Sequence, residues 1–557
     1  MSSYFAHRRD CRSKQAERRT RIESLPPAYH EPLSSADKVI LTKPIAEVVS
    51  GVQSGALSPN DVLLAYGKKA LRAHAATNCL TEIMISDAEL WARGCRKQGP
   101  LAGVPVSLKD EHAVAGYDAC IGYSAWVGKH APRDSALVRL LRDAGAVLYV
   151  KTNVPITMCS FECTNDLFGR TTNPHNANYA PGGSSGGEAA LLAYGGSRVG
   201  VGSDGAGSVR VPSHYSGTYT IKASSSRFLK SGNGPTSTPG LEGVSVAFSP
   251  MARTLADLET FWRAVMSMKP WEYDPYVVPM PWRDVELPPT KPVRWGVIWD
   301  DGVVAPSPAC LRALQDVVSA LESNGHEVVA IEPPSLFEGL ELGSQLFYPD
   351  SGKLCVAPMR TGEYQDPGVE QALAMFRAPR FIKRLYAWYI RRVRRDPQYA
   401  ALIEEWFDKT VPQYLGLVAR REAYRARWHE FWQNEGLDFV VTVPNAHPAV
   451  PNGGMLEGWK SCTYTVLFNL LDYSAGVLPV THVDKERDVL LSAFKPRNAI
   501  EAGAYRMYDA QKMHGLPVGV QIVGRRFQEE KVLEGMKTVE RLLRREGKAY
   551  EVLERDV

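Results

Sequence analysis

The chain has 557 residues, with 65 basic against 61 acidic side chains and a formal net charge of +4. Apolar residues at 44% and charged residues at 23% are ordinary for a folded protein, and so slight a positive excess over this length gives no reason to expect a nucleic-acid partner. A chain this long buries a sizeable core without staples, and its nine cysteines, odd in number and irregularly spaced, do not describe a secreted disulfide framework.

The segment from Met1 to Pro27 has no apolar run of the kind a secretory signal needs, and Asp10 and Glu17 count against a mitochondrial transit peptide. Nowhere do ~18 apolar residues run unbroken, so no membrane-spanning helix is expected and a cytoplasmic protein is the default. Ala6 to Ile22 reads as a polar, mostly basic helix stopped by Pro26 and Pro27. Residues 1–40 are therefore expected to form a helical arm ahead of a single domain of residues 41–557.

From Ile45 onward, helical and strand patterns alternate. Strand-like apolar runs are Val147–Val150, Val297–Trp299, Glu327–Ile331, Phe439–Val443 and Val518–Val523. Leu311, Leu314, Val318 and Leu321 share one helical face, and Gly325 stands where a C-terminal cap belongs. The alternation predicts an α/β fold with a large central mixed β-sheet covered by helices on both faces. Cys159-Ser-Phe-Glu-Cys163 lacks the second ligand pair that zinc would need, so no metal site is expected.

Two stretches break that rhythm. Between Arg377 and Arg395 lie eight cations and no acid, interleaved with Phe381, Leu385, Tyr386, Trp388 and Tyr389. A helix there can rest on a membrane or gate an apolar entrance, but the preferred reading is an exposed helix with one apolar face packed on the body. The other stretch, Tyr179 to Ser237, contains Pro181-Gly-Gly-Ser-Ser-Gly-Gly-Glu188 and Gly200-Val-Gly-Ser-Asp-Gly-Ala-Gly-Ser-Val-Arg-Val-Pro212. Glycines at that density bring backbone N–H groups close to a ligand, and the absence of acids from Gly205 to Leu241 suits a developing anion.

Three motifs compete there. Gly200-x-Gly202-x-x-Gly205 matches the dinucleotide fingerprint, but a helix is expected before it, no helix is expected to start at Val209-Arg-Val-Pro212, and the ribose-binding acid about 20 residues on is missing. Gly182-x-Ser184-x-Gly186 matches the nucleophile elbow of an esterase, yet turn chemistry precedes it where a strand is required. The third reading joins Lys109, at the end of the run Gly103–Asp110, to Ser184 and Ser208. Buried among hydroxyls and away from carboxylates, a neutral Lys109 takes a proton from Ser208 through Ser184. A surface lysine beside a Gly/Ser linker is the alternative.

These pieces closely resemble the amidase signature family, whose central block reads like Gly182-Gly-Ser-Ser-Gly-Gly-Glu188 followed by Asp204 and Gly207-Ser-Val-Arg210. The likeness extends to Thr77–Glu82, Lys151–Pro155, Phe168–Pro174 and Gly515–Gly524. Tyr219–Lys222, Asn469–Tyr473 and the basic arm are most similar to fungal acetamidases and general amidases. The resemblance implies a Ser–cis-Ser–Lys triad of Ser208, Ser184 and Lys109, with the cis peptide at Gly183–Ser184 and no cofactor. It implies an oxyanion hole from the amides of Gly205, Ala206, Gly207 and Ser208, supporting positions for Asp204, Arg210 and Ser185 that hold this loop from behind, and a pocket at Met158.

The pocket is expected to draw also on Cys159, Phe161 and the variable region of about residues 335–470. The implied reaction splits a small-molecule carboxylic amide into carboxylate plus ammonia or amine, and leaves a homodimer open. An amidotransferase-type subunit dependent on partner chains is the alternative within the family. Ala206 departs from the family pattern and fits only with negative φ. Ala223-Ser-Ser-Ser-Arg227 also departs, and reads as a reshaped loop.

Overall fold

A computed structural model describes residues 2–555 apart from 235, 237 and 288–291, so Ser237, the end of the glycine-rich stretch, lies outside the described residues. The strands are β1 (Leu80–Ile83), β2 (Pro105–Lys109), β3 (Val147–Thr152), β4 (Thr164–Asn165), β5 (Gly169–Arg170), β6 (Val199–Asp204), β7 (Tyr219–Lys222), β8 (Ala247–Ala252), β9 (Arg294–Val297), β10 (Glu327–Ala330), β11 (Phe439–Thr442), β12 (Ser474–His482) and β13 (Pro517–Gly524). Apart from the small β4–β5 pair, they join in one sheet of order β1-β3-β2-β6-β8-β7-β12-β13-β11-β9-β10. β2 runs parallel to both neighbours, β6 to β11 alternate antiparallel, and β9 and β10 return to parallel.

The expected mixed α/β sheet is found. β2, β6 and β13 are buried along their whole length, which requires cover on both faces. The predicted runs fall on β3, β10, β11 and β13. β9 begins three residues before the predicted 297–299 and shares Val297 with it; within β9, Trp295 pairs with Phe439 and stacks on it with ring centroids 4.4 Å apart. Helix Pro308–Ser323 buries Leu314, Val318 and Leu321, and Gly325 follows with φ 80°.

The helix Ser2–Glu23 lies against the body. Lys14 is buried and pairs with Glu82 and with Asp118 at 3.0 Å, while Arg18 Nη1 donates to the Leu80 carbonyl of β1 at 2.8 Å. Burial opposes the Lys14 charge, but Glu82 and Asp118 outweigh it and hold the ammonium well above its usual range.

Two expectations are corrected. The cationic stretch forms a helix, Arg380–Arg392, that buries Lys383, Ala387 and Ile390, while Phe381, Leu385, Tyr386, Trp388 and Tyr389 are exposed. Its aromatic face therefore points away from the body: Lys383 donates inward to the carbonyls of Phe376 and Trp406, and those buried acceptors turn that side of the helix toward the core. The context assigned to the Gly200-x-Gly202-x-x-Gly205 motif also differs. Its first two glycines lie inside strand β6, and a helix, Arg210–Ser216, does start after it, with Pro212 in the first turn where proline is tolerated.

Candidate active site

The parallel pair β2 and β6 aligns Ser107 with Gly200 and Leu108 with Val201, so Lys109, the last residue of β2, and Ser203, the last but one of β6, lie at the same end of the strands. Ligand sites in parallel sheets form at such carboxyl ends. Lys109 is fully buried. Its Nζ donates to Ser184 Oγ at 2.7 Å and to Ser203 Oγ at 2.8 Å. Ser184 is reached through a cis peptide, Gly183–Ser184. Ser184 and Ser208 are 2% and 8% exposed, and both line one cavity of about 600 Å³.

The two glycine-rich segments are tied together by Ser185. It stands at the N-terminus of helix Gly186–Tyr194, its N–H donates to the Ser208 carbonyl at 3.1 Å, and its Oγ donates to the Ser203 carbonyl at 3.3 Å. A Cβ on Gly202 would stand 2.6 Å from that Oγ, which is why the strand carries glycine there. On the next turn Glu188 is fully buried, accepting from Ser107 and from Thr152 Oγ1 at 2.8 Å. Burial pushes its carboxyl up to about 7, and a Cβ on Gly200 would overlap Oε1.

Asp204 organises the loop that follows β6. Its carboxylate accepts from Gly207 N–H at 2.8 Å, Val209 N–H at 3.2 Å, Arg210 Nε at 3.0 Å and Asn469 Nδ2 at 3.0 Å. Burial would raise this carboxyl, but Arg210 outweighs it and holds the group well below the usual carboxylate range. Arg210 reaches on to Gln521 at 2.7 Å and Asn469 Oδ1 at 2.6 Å, residues of two of the distant sequence motifs. Thr465 Oγ1 donates to the Ala206 carbonyl at 2.8 Å. Ala206 is absent from the residues with positive φ, as its side chain requires, whereas Gly207 has φ 121°.

Two expectations about charge are corrected here. The Gly207 N–H is bonded to Asp204 and not turned to the cavity, whereas the amides of Gly205, Ala206 and Ser208 have no protein acceptor among the described residues. Lys109 is also not remote from carboxylates, since Glu111 Oε1 lies 3.4 Å from its Nζ. The acid-free stretch of sequence does not make an acid-free site, because Glu111 arrives from the segment that follows β2. Ser203, Glu111 and Thr465 were missed. Glu111 lies in the turn that closes β2, where His112 N–H donates to the Lys109 carbonyl at 3.0 Å, and its nearness to Lys109 along the chain is the signal that could have flagged it.

The cavity wall includes Met158, Cys159 and Phe161, and the 335–470 region supplies Phe347, Tyr348, Val369, Leu402 and Trp406. Those side chains are apolar or aromatic, and Lys230, Asn233 and Lys460 also belong to the wall. Among the described residues no cluster of three or more metal-ligating side chains occurs, and no helix is long and apolar enough to cross a membrane.

Comparison with known proteins follows this geometry. A family model described as Amidase matches residues 61–533. The chain is 35% identical to fatty-acid amide hydrolase 1 of Sus scrofa over 507 residues, covering 91% of this chain and 86% of that relative. It is 32% identical to an acetamidase of Aspergillus oryzae over 526 residues, covering 92% of this chain and 91% of that relative. A solved structure of a fatty acid amide hydrolase superposes with a TM-score of 0.80 at 28% identity, covering 92% of this chain and 87% of that one. The expected likeness to fungal acetamidases is found, beside one of similar extent to an animal enzyme.

Proposed function

The chain belongs to the amidase signature family and is an amidase-family hydrolase, and from that premise we propose that it cleaves a carboxylic amide through an acyl-enzyme on Ser208. The observation that carries this reading is the 2.7 Å hydrogen bond between Lys109 Nζ and Ser184 Oγ at a cavity that Ser208 also lines. A serine hydroxyl is a poor nucleophile until a base removes its proton. Lys109 takes the Ser184 proton as Ser184 takes that of Ser208, and the Ser208 oxygen attacks the amide carbonyl.

The amides of Gly205, Ala206 and Ser208 receive the negative charge that develops on the carbonyl oxygen, each worth ~3 kcal/mol in comparable sites. The proton returns through Ser184 to the leaving nitrogen. Water then releases the carboxylate by the same relay run a second time. Ser203 holds the lysine from its other side, and Asp204 with Arg210 holds the loop that carries the anion-binding amides.

For the substrate, the apolar and aromatic side chains of the cavity wall support an acyl group larger than acetyl. The name of the Sus scrofa relative, a fatty-acid amide hydrolase, points the same way. Ammonia or amine release from acetamide, hexanamide, benzamide, an indole-acetamide and a long-chain fatty amide tests both parts. Turnover should rise with apolar acyl size and vanish in Ser208→Ala; turnover that persists in that variant removes the mechanism.

A further inference from the structure

Two thiols of the cavity region stand outside the hydrolytic machinery. Cys159 lines the cavity, and Cys355, on the short helix Lys353–Val356, is buried at 1% exposure. Both are aimed at one acceptor, the Thr157 carbonyl oxygen, Cys159 Sγ at 3.1 Å and Cys355 Sγ at 4.0 Å. The shared acceptor brings the two sulfurs to one carbonyl oxygen from segments 196 residues apart in the chain. Thr157 and Met158 have φ of 68° and 55°, so Cys159 follows a tight left-handed turn that fixes where its sulfur points.

The pair is chemically unequal. Donation from Cys355 holds the Cys159 thiol below its ordinary range, against the effect of burial. The same contact, with burial, pushes Cys355 well above its range. Every other described cysteine is shifted upward, including the cavity-lining Cys462, which burial pushes up to about 12. A lowered, accessible thiol beside a second thiol is the arrangement of an attacking and a resolving cysteine.

We propose that Cys159 and Cys355 form a peroxide-oxidised dithiol whose disulfide constricts the substrate cavity. The Cys159 thiolate attacks one oxygen of hydrogen peroxide and the O–O bond breaks. This leaves a sulfenic acid on Cys159 and hydroxide, which departs as water with the proton the thiol gave up. The Cys355 sulfur then attacks the Cys159 sulfur, the S–O bond breaks, and the second hydroxide leaves as water with the Cys355 proton. Two thiols are oxidised to one disulfide and one peroxide is reduced to two waters. The disulfide removes both thiol donors from the Thr157 carbonyl and frees Tyr348, whose hydroxyl interacts with Cys159. Tyr348 and Met158 both belong to the cavity wall, so the linkage acts on that wall.

The constriction rests on the proposed amide hydrolysis for its readout; the dithiol does not. The full chain is treated with hydrogen peroxide, alkylated without reduction, digested and analysed by mass spectrometry, with hydrolysis measured in parallel. The expected result is a linked Cys159–Cys355 peptide and a loss of hydrolysis of about tenfold or more, reversed by dithiothreitol. Cys355→Ser, with Cys355→Ala as a second variant, should keep its reduced activity and yield Cys159 sulfenic acid trapped by dimedone. Recovery of both residues as free thiols, or linkage of Cys159 to Cys462, overturns the dithiol. A linked peptide with unchanged hydrolysis overturns the constriction. If the reduced protein hydrolyses no amide, the hydrolytic reading fails, and the linked peptide alone decides the thiol chemistry.

Discussion

Asp204 and Arg210 form a fully buried ion pair across the candidate nucleophile, with Arg210 Nη2 2.9 Å from Asp204 Oδ1 and Nε 3.0 Å from Oδ2. The pair folds the segment between them back on itself. The amides of Gly207 and Val209 point to the carboxylate, and Ser208 between them faces the cavity.

Removing one partner of such a pair leaves an uncompensated buried charge. Arg210→Met is expected to cost about 3–5 kcal/mol, read as a lower urea midpoint, together with loss of hydrolysis. The sign of the pH dependence follows from the depressed carboxyl. Its stabilisation is fully present above the unfolded value of 3.8 and is lost as pH falls below it. The deficit of the variant should thus be largest near neutrality and narrow in acid. Equal deficits at pH 3 and pH 7 would count against the pair.

Ser208→Ala should abolish amide turnover with no fall in melting temperature, because a small hydroxyl on the cavity wall is all that is removed. Lys109→Met and Ser184→Ala should each lower kcat by about 10²–10⁴, the range of proton-transfer catalysis. Labelling by a fluorophosphonate should be lost in Ser208→Ala and retained in Ser184→Gly at a reduced rate. Label found on Ser184 would reverse the roles of the two serines.

Gly200→Ala drives a methyl group into Glu188 Oε1 and to within 2.5 Å of Ser107 Oγ. A loss of about 1–3 kcal/mol is expected, seen as a lower melting temperature. Glu188 itself has a carboxyl raised from 4.5 to about 7. The folded state therefore binds the extra proton between those values, and this group's effect on stability worsens as pH rises from 4.5 to 7. Glu188→Gln should flatten that slope. A slope unchanged in Glu188→Gln assigns it to other groups.

Lys14→Met strands Glu82 and Asp118 without their shared cation, so a cost of about 3–5 kcal/mol is expected although the residue belongs to the N-terminal helix. Hydrogen exchange should rise in β1 and around Asp118. Unchanged exchange there would mean that the helix is not coupled to the sheet.

Val369 lines the cavity. Val369→Trp should raise KM for the longest amides several-fold while leaving kcat/KM for the shortest nearly unchanged. An equal loss for every chain length would indicate general disruption of the site.

The sheet and the paired glycine-rich segments were legible in the chain's own pattern, whereas Lys109, Ser184 and Ser208 stood out from a surface lysine and a Gly/Ser linker only through their resemblance to the amidase signature motifs. Strand periodicity, glycine density and a lysine ending an apolar run are properties of neighbours along the chain, and these survive reading in one dimension. The carboxylate of Glu111 beside Lys109 and the capture of the Gly207 amide by Asp204 come from turns spanning two and three residues, and the outward face of helix Arg380–Arg392 comes from its packing. None of these follows from residue type alone, because each depends on the folded backbone, and other contacts of the site come from far along the chain. Gln521 and Asn469 reach Arg210 from 311 and 259 residues away, and Cys355 reaches Thr157 from 198 residues away. Charge state and hydrogen-bond direction follow from burial and from those contacts, and neither is a property of local order along the chain.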